Sequence, residues 1–392
     1  MAIRTGIERV LGERIGLHPG DRVAIVANQA TVLPDLTHVV RHLAALSDVR
    51  LIRILAPEHG LWGDAQDMIA VGDERDPVTG LEIVSLYGTS EASLRPPPAA
   101  FEGVDVVIFD LQDVGARYYT FLATLAYLME EAGRRGVRVV VADRPNPIGG
   151  EHIEGPMIAA GFVSFVGAFG VPVRHGMTAG EVALFLRDHV GLACELTVAK
   201  LDGWRRADWY DATGLPWIAP SPNMPTIDTA AVYPGQCLIE GTNLSEGRGT
   251  TRPFELSGAA FIDPFALVKT LAAEDLPGTT LRPLYFRPTF HKFGGQRCGG
   301  VQIHVTDRAT FQPFRTSRAL IAASRRLWPE RFDWRREPYE FVSDRLAFDL
   351  LCGGDRERRA LESGAPIADL EAAWRDELAA FREVRERYLI YR

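Results

Sequence analysis

Apolar positions in the first 230 residues alternate between two periods. Short runs rich in β-branched residues read as buried strands: Val23 to Ala27, Val49 to Leu55, Ile83 to Leu86, Val104 to Asp110 and Val137 to Ala142. Between the first two, Leu36, Val39, Val40, Leu43 and Leu46 recur at helical spacing, and after the fourth Phe121, Leu122, Leu125, Leu128 and Ala132 do the same. Thr178 and Glu181 have the spacing of a capping box, with Val182, Phe185 and Leu186 as the stripe behind it and Leu196 to Leu201 as the next strand. Strands that alternate with helices predict an α/β fold with a Rossmann-like, mostly parallel sheet covered on both faces.

From about residue 230 the texture changes to Gly, Pro and polar residues. Val301, Ile303 and Val305 then alternate with Gln302 and His304, the pattern of a half-exposed antiparallel strand. The chain closes on a helix with Ile367, Leu370, Trp374, Leu378, Phe381 and Tyr388 on one stripe, punctuated at its start by Gly364 and Pro366 and expected to pack on the second domain. These shifts divide the chain into a Rossmann-like catalytic domain, 1–230, and a smaller α+β domain, 231–392, that completes the active-site cleft.

Composition narrows the classes of function. A net charge of -8 disfavours broad phosphate-backbone contact, so nucleic acid is not an expected partner. No apolar stretch is long enough to insert in a membrane, and the charged N-terminal residues do not form a signal peptide. The chain as written is therefore expected in the cytoplasm, or in the periplasm or outside the cell if a leader has been removed. Cys194, Cys237, Cys298 and Cys352 are scattered, with no Cys-x-x-Cys pair, and are expected as free thiols. His59, Asp110, Asp113 and His175 are metal-ligand types without metal-ligand spacing, so no metal is expected.

In open α/β sheets ligands bind beyond the carboxyl ends of the strands. Here those ends are polar: Asn28-Gln29, Glu58-His59, Tyr87, Asp110 with Gln112 and Asp113, and Asp143-Arg144 with Asn146, all expected to converge on one cleft. Gly-x-Gly-x-x-Gly is missing after the first strand, which argues against a dinucleotide, and no cofactor is expected. Glu58 follows an apolar run directly, at the edge of the core, where loss of water favours a protonated carboxyl and suits a general acid. His59 reads equally well as catalytic or structural. A second rich segment, 240–255, interleaves glycines with Asn243, Ser245, Glu246 and Arg248, and can wrap a polyhydroxylated or anionic ligand. Glu246 is its better catalytic carboxylate, with Glu240 as buried support. Arg117, Arg144 and Arg174 are able to clamp a carboxylate, while Tyr118, Tyr119 and Asn223 align sugar hydroxyls. Glu181 is expected only to complete its capping box.

The runs PEHGLWGDAQ, FDLQDVGARYYT, DRPNPIGG, PVRHGMTAGE, PSPNMPT, YPGQCLIEGTNLSEGRGTTRPFE and FREVRERYLIY resemble the NamZ-type exo-β-N-acetylmuramidases, a bacterial glycoside hydrolase family, over nearly the whole chain. The resemblance implies an exo-acting hydrolase that releases N-acetylmuramic acid from the non-reducing end of peptidoglycan fragments, in wall turnover or recycling, with a muramic-acid saccharide or muropeptide as its partner. It makes Glu58 the catalytic glutamate. Glu246 is then one candidate for the second carboxylate, unless the 2-acetamido group of the substrate attacks and Asp113 or Glu246 orients it. The lactyl carboxylate calls for an arginine, in the order Arg117, Arg144, Arg248. Asn28, Gln112, Tyr118, Asn146, His175, Asn223 and Asn243 complete the expected substrate contacts. Trp62 is a departure at the pocket rim. The alternative is a non-catalytic sugar- or muropeptide-binding protein on the same scaffold; the oligomeric state is left open.

Overall fold

The computed structural model of the chain describes residues 3–66, 68–69, 72 and 74–392. Seven strands form the main sheet: β1 (Arg22–Val26), β2 (Arg50–Ala56), β3 (Glu74–Arg75), β4 (Glu82–Ser85), β5 (Val106–Phe109), β6 (Arg138–Ala142) and β7 (Leu196–Ala199). Their order is β3-β4-β2-β1-β5-β6-β7, and every pairing is parallel except β3 with β4. Strand order reverses between β1 and β5, the doubly wound arrangement that the alternating periods predict. The two residues of β3 are charged and exposed, so no apolar run announces them.

Alternate side chains of β1 explain the two layers. Val23 and Ile25 pack with Ile7 and Val10 of α1 (Gly6–Glu13) and with Val39, Val40 and Leu43 of α2 (Val39–Ala44). Ala24 and Val26 face the other way, toward Phe121, Leu125 and Met129 of α3 (Phe121–Arg135) and Val182 of α4 (Ala179–Phe185). Leu36 falls outside the short second helix, at φ 67° and 56% exposed, so the expected stripe begins only at Val39. α4 starts as its sequence predicts, with Thr178 and Glu181 in a reciprocal capping box.

The second sheet is antiparallel, in the order β8-β10-β9: β8 (Leu256–Ala259), β9 (Thr279–Phe286) and β10 (Cys298–Val305). The strand read from alternation, β10, is the central one. A side chain on Gly299 would lie 2.1 Å from the Ile262 carbonyl and one on Gly300 2.1 Å from the Ser257 carbonyl, which explains glycine at both. β9 carries Pro283, tolerated because it is an edge strand. The helices of this half are α5 (Ile227–Gln236), α6 (Pro264–Leu271), α7 (Pro313–Leu327), α8 (Ala347–Cys352), α9 (Arg356–Ser363) and α10 (Ile367–Glu386). Residue 230 lies inside α5, and one apolar cluster runs from β5 and α3 through α5, α7 and α8.

The terminal helix packs on the second half, as its stripe predicts, and reaches the first half as well. Trp374 meets Phe314 of α7, whereas Phe381 and the following Tyr388 meet Phe185 of α4. Beyond the helix, the Tyr391 hydroxyl donates to Asp143 Oδ2 over 2.6 Å and the Ile390 amide donates to Glu181 over 2.9 Å. Glu181 also pairs with Arg206, so it does more than complete its capping box. Burial pushes the Asp143 carboxyl up to about 7, against the opposing hydrogen bonds from Tyr391, Gly180 and Thr178.

A carboxyl raised in this way binds its proton more tightly folded than unfolded, so its contribution to stability falls as pH rises from about 4 to about 7. Asp143→Asn is expected to remove that slope. The variant's unfolding free energy relative to wild type should improve by up to about 4 kcal/mol across the window, read by urea denaturation at stepped pH. A difference that stays constant with pH would reject the assignment.

Candidate active site

Glu58 lies in the turn that leaves β2. The Gly60 amide closes this turn on the Pro57 carbonyl at 3.0 Å, and His59 occupies its left-handed position with φ 73°. Glycine or asparagine usually fills such a position, so a histidine there is strained by about 1–3 kcal/mol. The turn is held by His59 Nδ1 against the Ala65 carbonyl at 2.9 Å. Glu58 is buried, with Oε2 accepting from the Thr120 hydroxyl at the start of α3 over 2.7 Å and Oε1 near the Met68 amide at 3.4 Å.

Glu58 and His59 open into a cleft of about 530 Å³ between the two halves of the chain. The opposite wall brings Glu240, Arg248, Tyr339 and Glu340. Glu240 accepts from Arg248 Nη2 over 2.7 Å through one oxygen and from the Tyr339 hydroxyl over 2.6 Å through the other. Glu340 accepts from the Tyr87 hydroxyl over 2.9 Å and so ties the end of β4 to the second half. Glu340 and Phe341 both have positive φ, 46° and 65°, in a tight turn closed by reciprocal bonds between Tyr339 and Val342. Asn-Gly is the usual choice for two such residues, so this turn too is strained. Tyr119, Ser221 and Asn223 complete the polar lining, Asn223 donating to Gln66 over 2.9 Å. Burial drives the Tyr119 phenol well above its ordinary range.

The other expected residues are placed elsewhere. Glu246 is fully buried outside the cleft lining, with His291 Nδ1 and Lys292 Nζ each at 3.0 Å and Arg248 Nε at 3.4 Å. Burial opposes its charge, yet Lys292, His291 and Arg248 prevail and hold the carboxyl far below the usual carboxylate range. It is a locked counter-ion. Asp113 accepts from the Gly115 amide at 2.6 Å and faces His175 Nε2 at 3.5 Å. His175 Nδ1 accepts from the Met177 amide, which leaves the proton on the nitrogen facing Asp113.

Arg117, first of the expected arginines, spends its guanidinium on the carbonyls of Pro156, Val171 and Leu351, and burial lowers it to about 10. Arg144 forms a buried pair with Asp110, 2.5 and 3.0 Å, and Arg174 donates to the Ile148 carbonyl. Asn28 ties Pro220 and Ala30, Gln112 ties Asp113 and Pro145, Asn146 ties Met177 and Ile148, and Asn243 ties Arg331 and Asp333. Tyr118 lines the cleft with its hydroxyl on the Pro234 carbonyl. The five polar strand ends therefore do not share one cleft. Those of β1, β5 and β6 bond mainly to each other and to the chain, though Gln29 Oε1, Gln112 Oε1 and Asp113 Oδ1 find no hydrogen-bond partner among the described residues, and Glu58-His59 is the pair that reaches the cleft.

Two family models match, the N-terminal part of "Exo-beta-N-acetylmuramidase NamZ" over residues 23–228 and its C-terminal part over residues 231–391. The chain is 42% identical over 389 residues to the peptidoglycan β-N-acetylmuramidase NamZ of Bacillus subtilis (strain 168), covering 99% of this chain and 91% of the relative. This chain belongs to the NamZ family. Two crystal structures of DUF1343 family proteins from Bacteroides fragilis NCTC 9343 share its fold, at TM-scores of 0.89 and 0.76 and 30% and 26% identity, each covering 100% of this chain and 99% of the other. In this member of the NamZ family no described helix is long and apolar enough to cross a membrane, and no described group of three His, Cys, Asp or Glu is gathered as for a metal. The four cysteines are unpaired with one another.

Glu340 carries no signal in the sequence, because a lone glutamate between Tyr339 and Phe341 looks like any surface turn. Glu240 is visible in its segment, but its place in the cleft depends on Arg248 and Tyr339. Removing the locked charge separates structure from chemistry. Glu246→Gln, which leaves Lys292 and Arg248 facing a neutral amide, is expected to cost about 3–5 kcal/mol in urea denaturation. Glu58→Gln, which keeps the acceptor for Thr120, should stay within about 1 kcal/mol of wild type. Equal stability of the two variants would contradict this division.

Proposed function

We propose that this chain hydrolyses the β-glycosidic bond of a terminal, non-reducing N-acetylmuramic acid in peptidoglycan fragments, with Glu58 as the acid. One observation carries the assignment: of the carboxylates at the ends of the parallel strands, Glu58 is the one that lines the cleft. The name of the Bacillus relative supplies the substrate class. The bond from the anomeric carbon to the leaving oxygen breaks, the Glu58 proton passes to that oxygen, and water supplies the hydroxyl that ends on the sugar while its other proton restores the acid. Thr120 fixes the carboxyl against rotation, and Tyr119, Ser221 and Asn223 supply the hydroxyls and amide that orient a sugar ring.

Glu340 is assigned as the second carboxylate. Glu340 lines the cleft from the second half of the chain, whereas Glu246 is sealed by Lys292, Arg248 and His291 outside the cleft lining, and Glu240 is held by Arg248 and Tyr339.

The test is turnover of the disaccharide of N-acetylmuramic acid β-linked to N-acetylglucosamine, with products identified by mass spectrometry and the first-formed anomer by NMR. Release of N-acetylmuramic acid is the expected result, and its absence would reject the reading. Glu58→Gln should lower kcat by about 10²- to 10⁴-fold, and Glu340→Gln by at least about 10²-fold. Full turnover by Glu58→Gln would remove it from the acid role.

A further inference from the structure

We propose that Arg335 is the residue that recognises the lactyl carboxylate of muramic acid, and thereby distinguishes it from N-acetylglucosamine in the same cleft. The proposal rests on the muramidase reading above for the identity of the ligand. Its structural basis is that arginines 117, 144 and 248 are already committed, respectively to three backbone carbonyls, to Asp110, and to Glu240 with Glu246. An arginine bonded in this way has its charge or its donors matched before a ligand arrives.

Arg335 is different. Its amide donates to the Gly241 carbonyl at 3.0 Å, which fixes its backbone beside Glu240. Its guanidinium lies over the Tyr339 ring, 5.1 Å from the centroid, and Nη2 reaches the Met68 sulfur at 3.7 Å. Both Tyr339 and Met68 line the catalytic cleft. Among the described residues Arg335 pairs with no carboxylate, and a thioether is a weak acceptor, so the planar donor fork is held in place with its hydrogen-bonding capacity largely unspent.

Arg335 is half-buried in the lining of a wide groove beside the cleft, whose other charged residues are Lys292, held on Glu246, Arg336, held on Asp333, and Glu337. The nearest cleft carboxylate, Glu240, is neutralised by Arg248, while the Tyr339 ring that carries the guanidinium is itself fixed by its bond to Glu240. Aromatic support and partial burial preorganise the fork, and a ligand carboxylate arriving there forms two charge-assisted bonds without first displacing a protein carboxylate. The lactyl group supplies such a carboxylate on the sugar itself, and N-acetylglucosamine lacks it.

The experiment compares the affinity of N-acetylmuramic acid with that of its lactyl methyl ester and of N-acetylglucosamine, by calorimetry or as competitive inhibitors. Wild type should bind the free acid about 10- to 100-fold more tightly than the ester. Arg335→Ala should bind acid and ester alike, and Arg335→Lys, which keeps the charge but loses the fork, should recover only part of the preference. On a chromogenic muramic acid glycoside the loss in Arg335→Ala should fall mainly on KM rather than kcat.

Equal binding of acid and ester by wild type would overturn the proposal without any variant, as would an Arg335→Ala protein that keeps the full preference. The two readings fail separately. An acid preference that vanishes in Arg335→Ala, in a protein that turns over no muramic acid glycoside, rejects hydrolysis and keeps Arg335. Turnover with no preference for the acid does the reverse.

Discussion

The charged side chains buried at the carboxyl edge of the main sheet answer to one constraint: each must find partners, because an unpaired buried charge is far more costly than a lost hydrogen bond. Asp110 takes Arg144, Asp143 takes Tyr391 and Thr178, and Arg117 takes three carbonyls from distant segments. Those partners come from up to 248 residues away in the chain. The two halves therefore close into one body around a shared core, and the terminal tail is part of the sheet's edge.

Within that body polar residues form closed sets and line the cleft. Glu246 and Glu240 with Arg248 and Lys292 form a closed set: two carboxylates face two cations, and their desolvation is offset by geometry rather than by a ligand. Glu58 and Glu340 line the cleft, one from each half of the chain. Both sit in or beside strained backbone, with His59, Glu340 and Phe341 all left-handed. Strain of this kind persists only where packing enforces it, and here the Thr120 and Tyr87 hydroxyls hold the two carboxyls. The backbone thus spends stability to hold Glu58 and Glu340 in the cleft lining.

Such pairing also decides the role of each arginine. A guanidinium is always charged and seeks a planar partner, so its position in the sequence says nothing about whether a protein carboxylate has already claimed it. Arg144 stands next to a strand end, as a ligand-binding arginine would, yet Asp110 occupies it. Arg335 lies in an unremarkable Trp-Arg-Arg-Glu stretch and is carried against the cleft lining by the bond from its amide to Gly241.

The sequence by itself determined the layers of the fold, the parallel strands to within a residue or two, the capping of α4, and Glu58 as the carboxylate to watch. Each of these follows from local chemistry: periodicity places side chains on a face, and a glutamate directly after an apolar strand must stand at the sheet's edge. The edge strands β3 and β9 escaped because charge and proline mask a strand whose identity lies in its hydrogen bonds. Only the tertiary structure decided which of the polar strand ends reach the cleft, that Glu246 is locked, that Glu240 and Glu340 line the cleft, and that Arg335 lies against Tyr339 and Met68 of its lining. Those are pairings between segments, and pairing of charges in a buried space is a property of distance, which a linear sequence does not carry.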